Sequence, residues 1–209
     1  MKRFILVPAG MLLLAGSVKA GILYDNISPS TGAMSSGDAG VSSTNSSGPL
    51  GNSFSTGANP GSLTDVKLLL SADSPTDGFA STVSLLSDSS TSPGTLISAL
   101  GTVQDSALAT SPTENVIDIP LTTPIPLASN TRYWIEVGGT DTTTSWSYDT
   151  ANVGVGVANE FNYYGGSVSD NNSFTPYQMT ITTSDVPEPG TLALAAVALA
   201  GLGLRRRQA

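Results

Sequence analysis

Tyr133-Trp134-Ile135-Glu136-Val137 is the stretch whose reading decides the fold. Its residues Tyr133, Ile135 and Val137 share one parity, the period of a strand that turns one face to a core. Val66-Lys67-Leu68-Leu69-Leu70 repeats the pattern, with Val66, Leu68 and Leu70 on one face. Outward from these two, short apolar segments recur, cut by Gly, Pro, Asn, Asp and Ser. Strands are predicted at 22–26, 53–56, 63–70, 80–87, 95–103, 115–121, 131–137, 144–149, 158–164 and 176–183. Residues 28–52, dominated by Ser, Gly and Thr, read as a long loop. No long segment of 3.6 period precedes residue 190. That combination predicts an all-β body, an antiparallel two-sheet sandwich of jelly-roll-like or immunoglobulin-like type.

One internal echo is visible. Val66-Lys67-Leu68-Leu69 leads to Ser71, Asp73 and Pro75, and Val83-Ser84-Leu85-Leu86 leads to Ser87, Asp88 and Pro93. Two copies do not make a solenoid. They read as two strands that end in similar loops on one rim.

The 209-residue chain has no Cys and no His. Disulfides, thiolate metal sites and thiol nucleophiles are thereby excluded, as is a Ser nucleophile with a His base. No Gly-rich phosphate loop follows a strand and opens a helix. Six of the eight basic residues sit at the ends: Lys2, Arg3 and Lys19, then Arg205, Arg206 and Arg207. Between residues 21 and 186 only Lys67 and Arg132 remain, against fifteen acidic residues, a formal net charge of −13. Such a body repels nucleic acid and anionic membrane surfaces. Its acidity keeps it soluble and suits divalent cations.

The ends read differently from the body. Residues 1–20 are MKRFILVPAGMLLLAGSVKA. A charged start, an apolar core from Phe4 to Ala15 and Val18-Lys19-Ala20 fit a signal peptide cut by signal peptidase after Ala20. Residues 186–209 are VPEPGTLALAAVALAGLGLRRRQA. Pro187-Glu188-Pro189 is stiff, because each proline fixes its own φ and restricts the residue before it. Thr191 to Leu204 is an uncharged run rich in Ala and Leu, expected to form a single transmembrane helix. Its length, about 21 Å at 1.5 Å per residue, is short against a hydrocarbon core of about 30 Å. Arg205, Arg206 and Arg207 would snorkel, stop the segment and stay on the cytoplasmic side. The chain thus divides into a leader at 1–20, an exported sandwich at 21–185 and a tail at 186–209.

The order Val186-Pro187-Glu188-Pro189-Gly190-Thr191, short apolar helix and Arg cluster resembles the PEP-CTERM sorting tail. The resemblance implies processing by an exosortase, a membrane-embedded cysteine protease or transpeptidase of Gram-negative bacteria that make extracellular polysaccharide. It implies that Pro187, Glu188 and Pro189 are recognised, with no catalytic part. The chain would be anchored transiently, then displayed at the cell surface or released.

The body carries a resemblance of its own. Gly51-Asn52-Ser53-Phe54-Ser55-Thr56-Gly57 precedes Leu63-Thr64-Asp65-Val66. Val83 to Asp88 precedes Ser92-Pro93-Gly94, and Leu127 precedes Asn130-Thr131-Arg132-Tyr133-Trp134. That succession resembles the choice-of-anchor domains of bacterial surface proteins, over roughly residues 22–183. It brings no catalytic or binding residues with it.

Chemistry-bearing constellations are sparse. Asp73, Asp77, Asp88 and Asp105 are the candidates for a glycosidase-type carboxylate pair. They stand beside Ser, Gly and Pro, where Asp is an ordinary turn former, and no enzyme is expected. Calcium is the ion that oxygen-rich loops such as Asp73-Ser74-Pro75-Thr76-Asp77-Gly78 and Asp170-Asn171-Asn172 would take. Asp73 and Asp77 are the metal candidates, with solvated turns as the alternative. Trp146 and Tyr148 share a strand face, as do Phe161 and Tyr163, while Trp134 and Tyr164 have the opposite parity to their core-facing neighbours. Exposed rings stack on sugars, so Trp134, Trp146 and Tyr148 are candidate glycan contacts, with core and rim packing as the alternative. The leading expectation is an exported structural or adhesive protein. The runner-up is a module that binds extracellular polysaccharide, with or without calcium.

Overall fold

A computed structural model describes residues 20–27, 35–39, 49–139, 143–149, 153–171 and 176–184, with side chains except at 20 and 35–39. The leader up to Lys19 and the tail from Asp185 onward lie outside the described residues. So do Pro187, Glu188, Pro189, the expected helix at 191–204 and Arg205 to Arg207. No helix among the described residues is long and apolar enough to cross a membrane.

Thirteen strands follow one another: β1 (Ala20–Asp25), β2 (Ser35–Ala39), β3 (Leu50–Ser55), β4 (Ser62–Ala72), β5 (Ala80–Asp88), β6 (Pro93–Gln104), β7 (Ala109–Thr110), β8 (Asn115–Pro126), β9 (Arg132–Gly139), β10 (Thr144–Tyr148), β11 (Phe161–Tyr164), β12 (Ser167–Asp170) and β13 (Met179–Ser184). The first sheet is built around β4. Residues of β4 from Ser62 to Leu68 pair with β8 on one edge and β13 on the other. Beyond them β10 takes over from β13, and β7 from β8. β1 extends the sheet from β13, and β2 extends it from β10. The second sheet runs β12-β11-β3-β9-β5-β6. Every strand pairing is antiparallel except the short β4–β7 contact.

The two sheets bury one face each in a shared core. Leu63, Val66, Leu68, Leu70, Trp146, Met179 and Ile181 come from the first sheet. Leu50, Phe54, Val83, Leu85, Tyr133, Ile135 and Val137 come from the second. The parity read from Tyr133, Ile135 and Val137 and from Val66, Leu68 and Leu70 is therefore the packing itself, a β-sandwich with apolar side chains from alternate positions meeting between the sheets.

Several elements differ from expectation; among them β7 (Ala109–Thr110) falls outside the expected strands, and β8 runs on to Pro126. β2 lies inside the supposed loop at 28–52, and β3 begins before 53. β2 reads SSGDA and has no apolar alternation, so pairing with β10 through its backbone is what makes it a strand. β12 is hidden in the sequence because Gly165 and Gly166, at φ +58 and +80, fold the chain back directly after β11. The echo also resolves otherwise. The turn after β4 lies at the end where Ala72 meets Thr144, whereas the turn after β5 lies at the end where Ser87 meets Tyr133. The two similar loops occupy opposite ends of the sandwich, not one rim.

Among the described residues β6 and β8 are edge strands of the two sheets, on the same side. The β5–β6 ladder shifts register three times, and β8 carries Pro120, Pro124 and Pro126. Between these edges runs a groove of about 400 Å³, lined by uncharged residues including Leu100, Pro120, Leu121 and Ile125.

Candidate functional site

The place where the folded body hands over to its tail is closely bonded. Ala20 pairs with Ser184, Gly21 with Thr183 and Ile22 with Thr182. Thr183 is buried, and its hydroxyl donates to the Gly21 carbonyl at 3.5 Å. On the other side of β13, Ser62 pairs with Ser184. The Ser62 amide donates to Ser184 Oγ at 3.3 Å, and Thr64 Oγ1 donates to the Thr182 carbonyl at 3.1 Å. Gly61 makes this closeness possible. Its φ is +70, and a Cβ there would lie 1.7 Å from the Ser184 carbonyl oxygen. Only glycine permits both the left-handed turn and that approach. The Asn59-Pro60-Gly61 turn is legible as a loop from its residues; its grip on Ser184 is not.

Two loops close the same end. The Leu127 amide donates to the Gly61 carbonyl at 3.2 Å. Thr56 exchanges bonds with Thr131: its amide donates to the Thr131 carbonyl at 2.9 Å, and its Oγ1 accepts from the Thr131 amide at 2.8 Å. Thr56 Oγ1 in turn donates to the Ala128 carbonyl at 2.7 Å. The sequence from Thr56 to Gly61 is TGANPG, and from Pro126 to Thr131 it is PLASNT. Neither contains a charge.

The opposite end is acidic. Thr143 Oγ1 lies 3.0 Å from Asp77 Oδ2 and 3.2 Å from Asp105 Oδ2. Thr144 Oγ1 donates to the other oxygen of Asp105, which is fully buried. Asp77 Oδ1 accepts from the Phe79 amide at 3.0 Å, a turn made by its own side chain. The Asp73 amide donates to the Thr143 carbonyl. Asp73, Asp77 and Asp105 thus gather at one end, while Asp88 sits at the other and accepts from Trp134 Nε1 at 2.9 Å. Asp170 is exposed at the end of β12, and Asn172 lies outside the described residues. Among the described residues no three His, Cys, Asp or Glu side chains converge in a way that would hold a metal ion.

The aromatic candidates are placed away from solvent. Trp146 is fully buried in the core, stacked on Tyr177 with ring centroids 4.8 Å apart, and donates to the Gln178 carbonyl. Tyr148 packs against the same core. Trp134 stands on the outer face of the second sheet and is still fully buried. Neither indole has an open face, so sugar stacking on Trp134 or Trp146 is not available in this fold. Phe161 is covered by the Arg132 guanidinium at 4.7 Å. Arg132 Nε reaches Glu160 at 3.1 Å, and Ser53 also donates to that carboxylate. Tyr164, by contrast, is 44% exposed.

A second carboxylate pair has no sign in the sequence. Asp65 on β4 and Asp118 on β8 meet on the outer face of the first sheet, with Lys67 3.4 Å from Asp118. Partial burial, then the hydrogen bond and charge of Asp118, push the Asp65 carboxyl up to about 6. The bond from Asp65, aided by Lys67, holds Asp118 below the usual carboxylate range. Burial alone raises Glu136, and burial is the main cause for Glu114.

Residues 185–207 match the PEP-CTERM protein-sorting motif. The match begins at the residue after the last one of β13. That tail marks an exported chain for sorting by exosortase, with transient anchoring in the membrane. Nothing among the curated proteins or the solved structures matches the chain.

Proposed function

We propose that this chain is a structural or adhesive protein of the surface or extracellular matrix of a Gram-negative bacterium. The sorting tail at 185–207 is the observation that carries this reading. Signal peptidase would remove residues 1–20, and an exosortase-type enzyme would recognise Pro187, Glu188 and Pro189. The apolar run at 191–204 and Arg205 to Arg207 would hold the tail in the bilayer until then. The succession of segments that resembles choice-of-anchor domains supports a display role for the body. So does the burial of both tryptophans, Trp146 in the core and Trp134 on the outer face of the second sheet.

Deleting Pro187-Glu188-Pro189, or replacing Arg205 to Arg207 by Ala, tests the reading. The expected result is an exported chain that keeps its tail mass and stays in the membrane fraction. Unchanged processing and release would overturn it. Carbohydrate binding is the alternative. With both indoles closed, it would have to use open rings such as Tyr164. A Tyr164→Ala variant that loses binding to the producer's own polysaccharide would favour it over a structural role.

A further inference from the structure

The two ends of the folded body leave it as neighbours. Ala20 is the Cα partner of Ser184, in adjacent antiparallel strands, and such partners lie about 5 Å apart. β1 is the terminal strand of its sheet, with β13 as its ladder partner. The bond expected to be cut, Ala20–Gly21, therefore lies inside the β1–β13 ladder. Its flanking residues face Ser184 and Thr183, and the Gly21 carbonyl takes the Thr183 hydroxyl. A peptidase that reads an extended substrate must supply backbone hydrogen bonds to it. Here β13 already supplies them.

The tail side is equally constrained. Ser184 is held by Ser62 and by the close approach of Gly61. Pro187 follows three residues later, so covalent reach limits it to about 11 Å from Ser184. A membrane-embedded enzyme that reads Pro187 to Pro189 must therefore work close to this end of the body. The body carries a formal −13, which disfavours approach to an anionic membrane face. Yet the end in question is closed by the uncharged loops at 56–61 and 126–131, while Asp73, Asp77 and Asp105 crowd the far end. Acidic residues near the exit include Asp88, bonded to Trp134, Asp65, the Cα partner of Thr182 in the outgoing strand, and, in the sequence that follows, Asp185 and Glu188.

We propose that maturation is ordered by this juxtaposition: the leader is cut while β1 is free, β1 then seats on β13, and the tail is processed from a body already closed at the end that carries the loops at 56–61 and 126–131. The proposal rests on the leader and tail readings above, with the cut after Ala20.

The test uses the full chain carrying Ile22→Cys and Thr182→Cys. These positions are Cα partners in the ladder, and the protein has no cysteine of its own. A disulfide between them reports seated β1. In a pulse-chase with thiol trapping, the disulfide is expected in the leader-free species and not before. Its appearance in the leader-bearing precursor, as early as in the cut species, would overturn the order. In a second arm, precursor is oxidised during a block of signal peptidase and the block is then lifted. Leader removal from the cross-linked precursor is expected to slow by about tenfold or more, because cleavage of a paired strand waits on its opening. Equal rates would overturn the proposal. The cross-linked mature body is expected to lose its tail at the normal rate, and arrest of tail processing would overturn the last step. N-terminal sequencing and the mass of the C-terminus keep the premises separate. A mature start other than Gly21 refutes the leader reading, whereas a tail indifferent to loss of Pro187 to Pro189 refutes the sorting reading.

Discussion

Replacing Gly61 by Ala tests how firmly the outgoing strand is gripped. At φ +70 an ordinary side chain costs about 1–2 kcal/mol. The added Cβ would also lie 1.7 Å from the Ser184 carbonyl oxygen and 2.9 Å from its carbon. Both are backbone atoms, so no side chain can rotate away to make room. The end of β13 must move by more than an ångström, which is enough to break the Ser62–Ser184 contacts. Each such hydrogen bond contributes about 1 kcal/mol net. Strain and lost bonds together give a destabilisation of about 2–4 kcal/mol. Gly57 is the control, since a Cβ added there would meet no atom within 4 Å and its φ is not left-handed. Gly57→Ala should change stability by less than about 0.5 kcal/mol. Urea unfolding of the purified protein measures both. Limited proteolysis at the tail junction should also accelerate in Gly61→Ala alone. A loss below about 1 kcal/mol in Gly61→Ala, or equal losses in both variants, would refute the grip.

Three further outcomes follow from the same structure. Asp65 has a carboxyl raised to about 6, so it binds its proton more tightly in the folded state, and stability should fall as pH rises from about 4 to about 6. Asp65→Asn should remove the share of that fall due to Asp65, leaving the shares of Glu114 and Glu136, and gain about 1 kcal/mol near pH 7, a figure reduced for the partial exposure of the site; identical pH profiles of unfolding would contradict it. Arg132→Ala leaves Glu160, with 3% of its side chain exposed, without its cation and should cost about 2–4 kcal/mol. Adding Glu160→Gln should recover part of that loss, and no recovery in the double variant would argue against an ionic cause. Finally, with Trp134 and Trp146 both fully buried, iodide should scarcely quench native fluorescence and should quench it strongly in urea; comparable quenching in both states would show an indole open to solvent.

The sandwich is legible because its core strands alternate. Tyr133, Ile135 and Val137, like Val66, Leu68 and Leu70, show their inward face in the order of residues alone. β2 is not legible, since Ser35–Ala39 offers no apolar face and gains its strand character from a partner distant in sequence. β7 is two residues long and equally silent. Trp134 misleads for a different reason. Its parity places it on the outer face, and parity cannot reveal that neighbouring side chains cover it there. The sorting motif is readable because Pro187-Glu188-Pro189, the apolar run and the Arg cluster carry it through composition and order. The grip of Gly61 on Ser184 and the pairing of Ala20 with Ser184 depend on residues more than a hundred positions apart, for which a single sequence carries no local sign.

The edge strands β6 and β8 bear on how closely copies of this protein can pack. β6 is a long uncharged strand, and open strands of that kind invite neighbouring copies to zip together. Its three register breaks against β5 make the strand irregular, which disfavours a second chain along it, and Pro120, Pro124 and Pro126 remove donors along β8. If copies are crowded together, they could therefore touch through side chains without fusing into fibrils. Crowded copies would then stay separate bodies, free to move past one another.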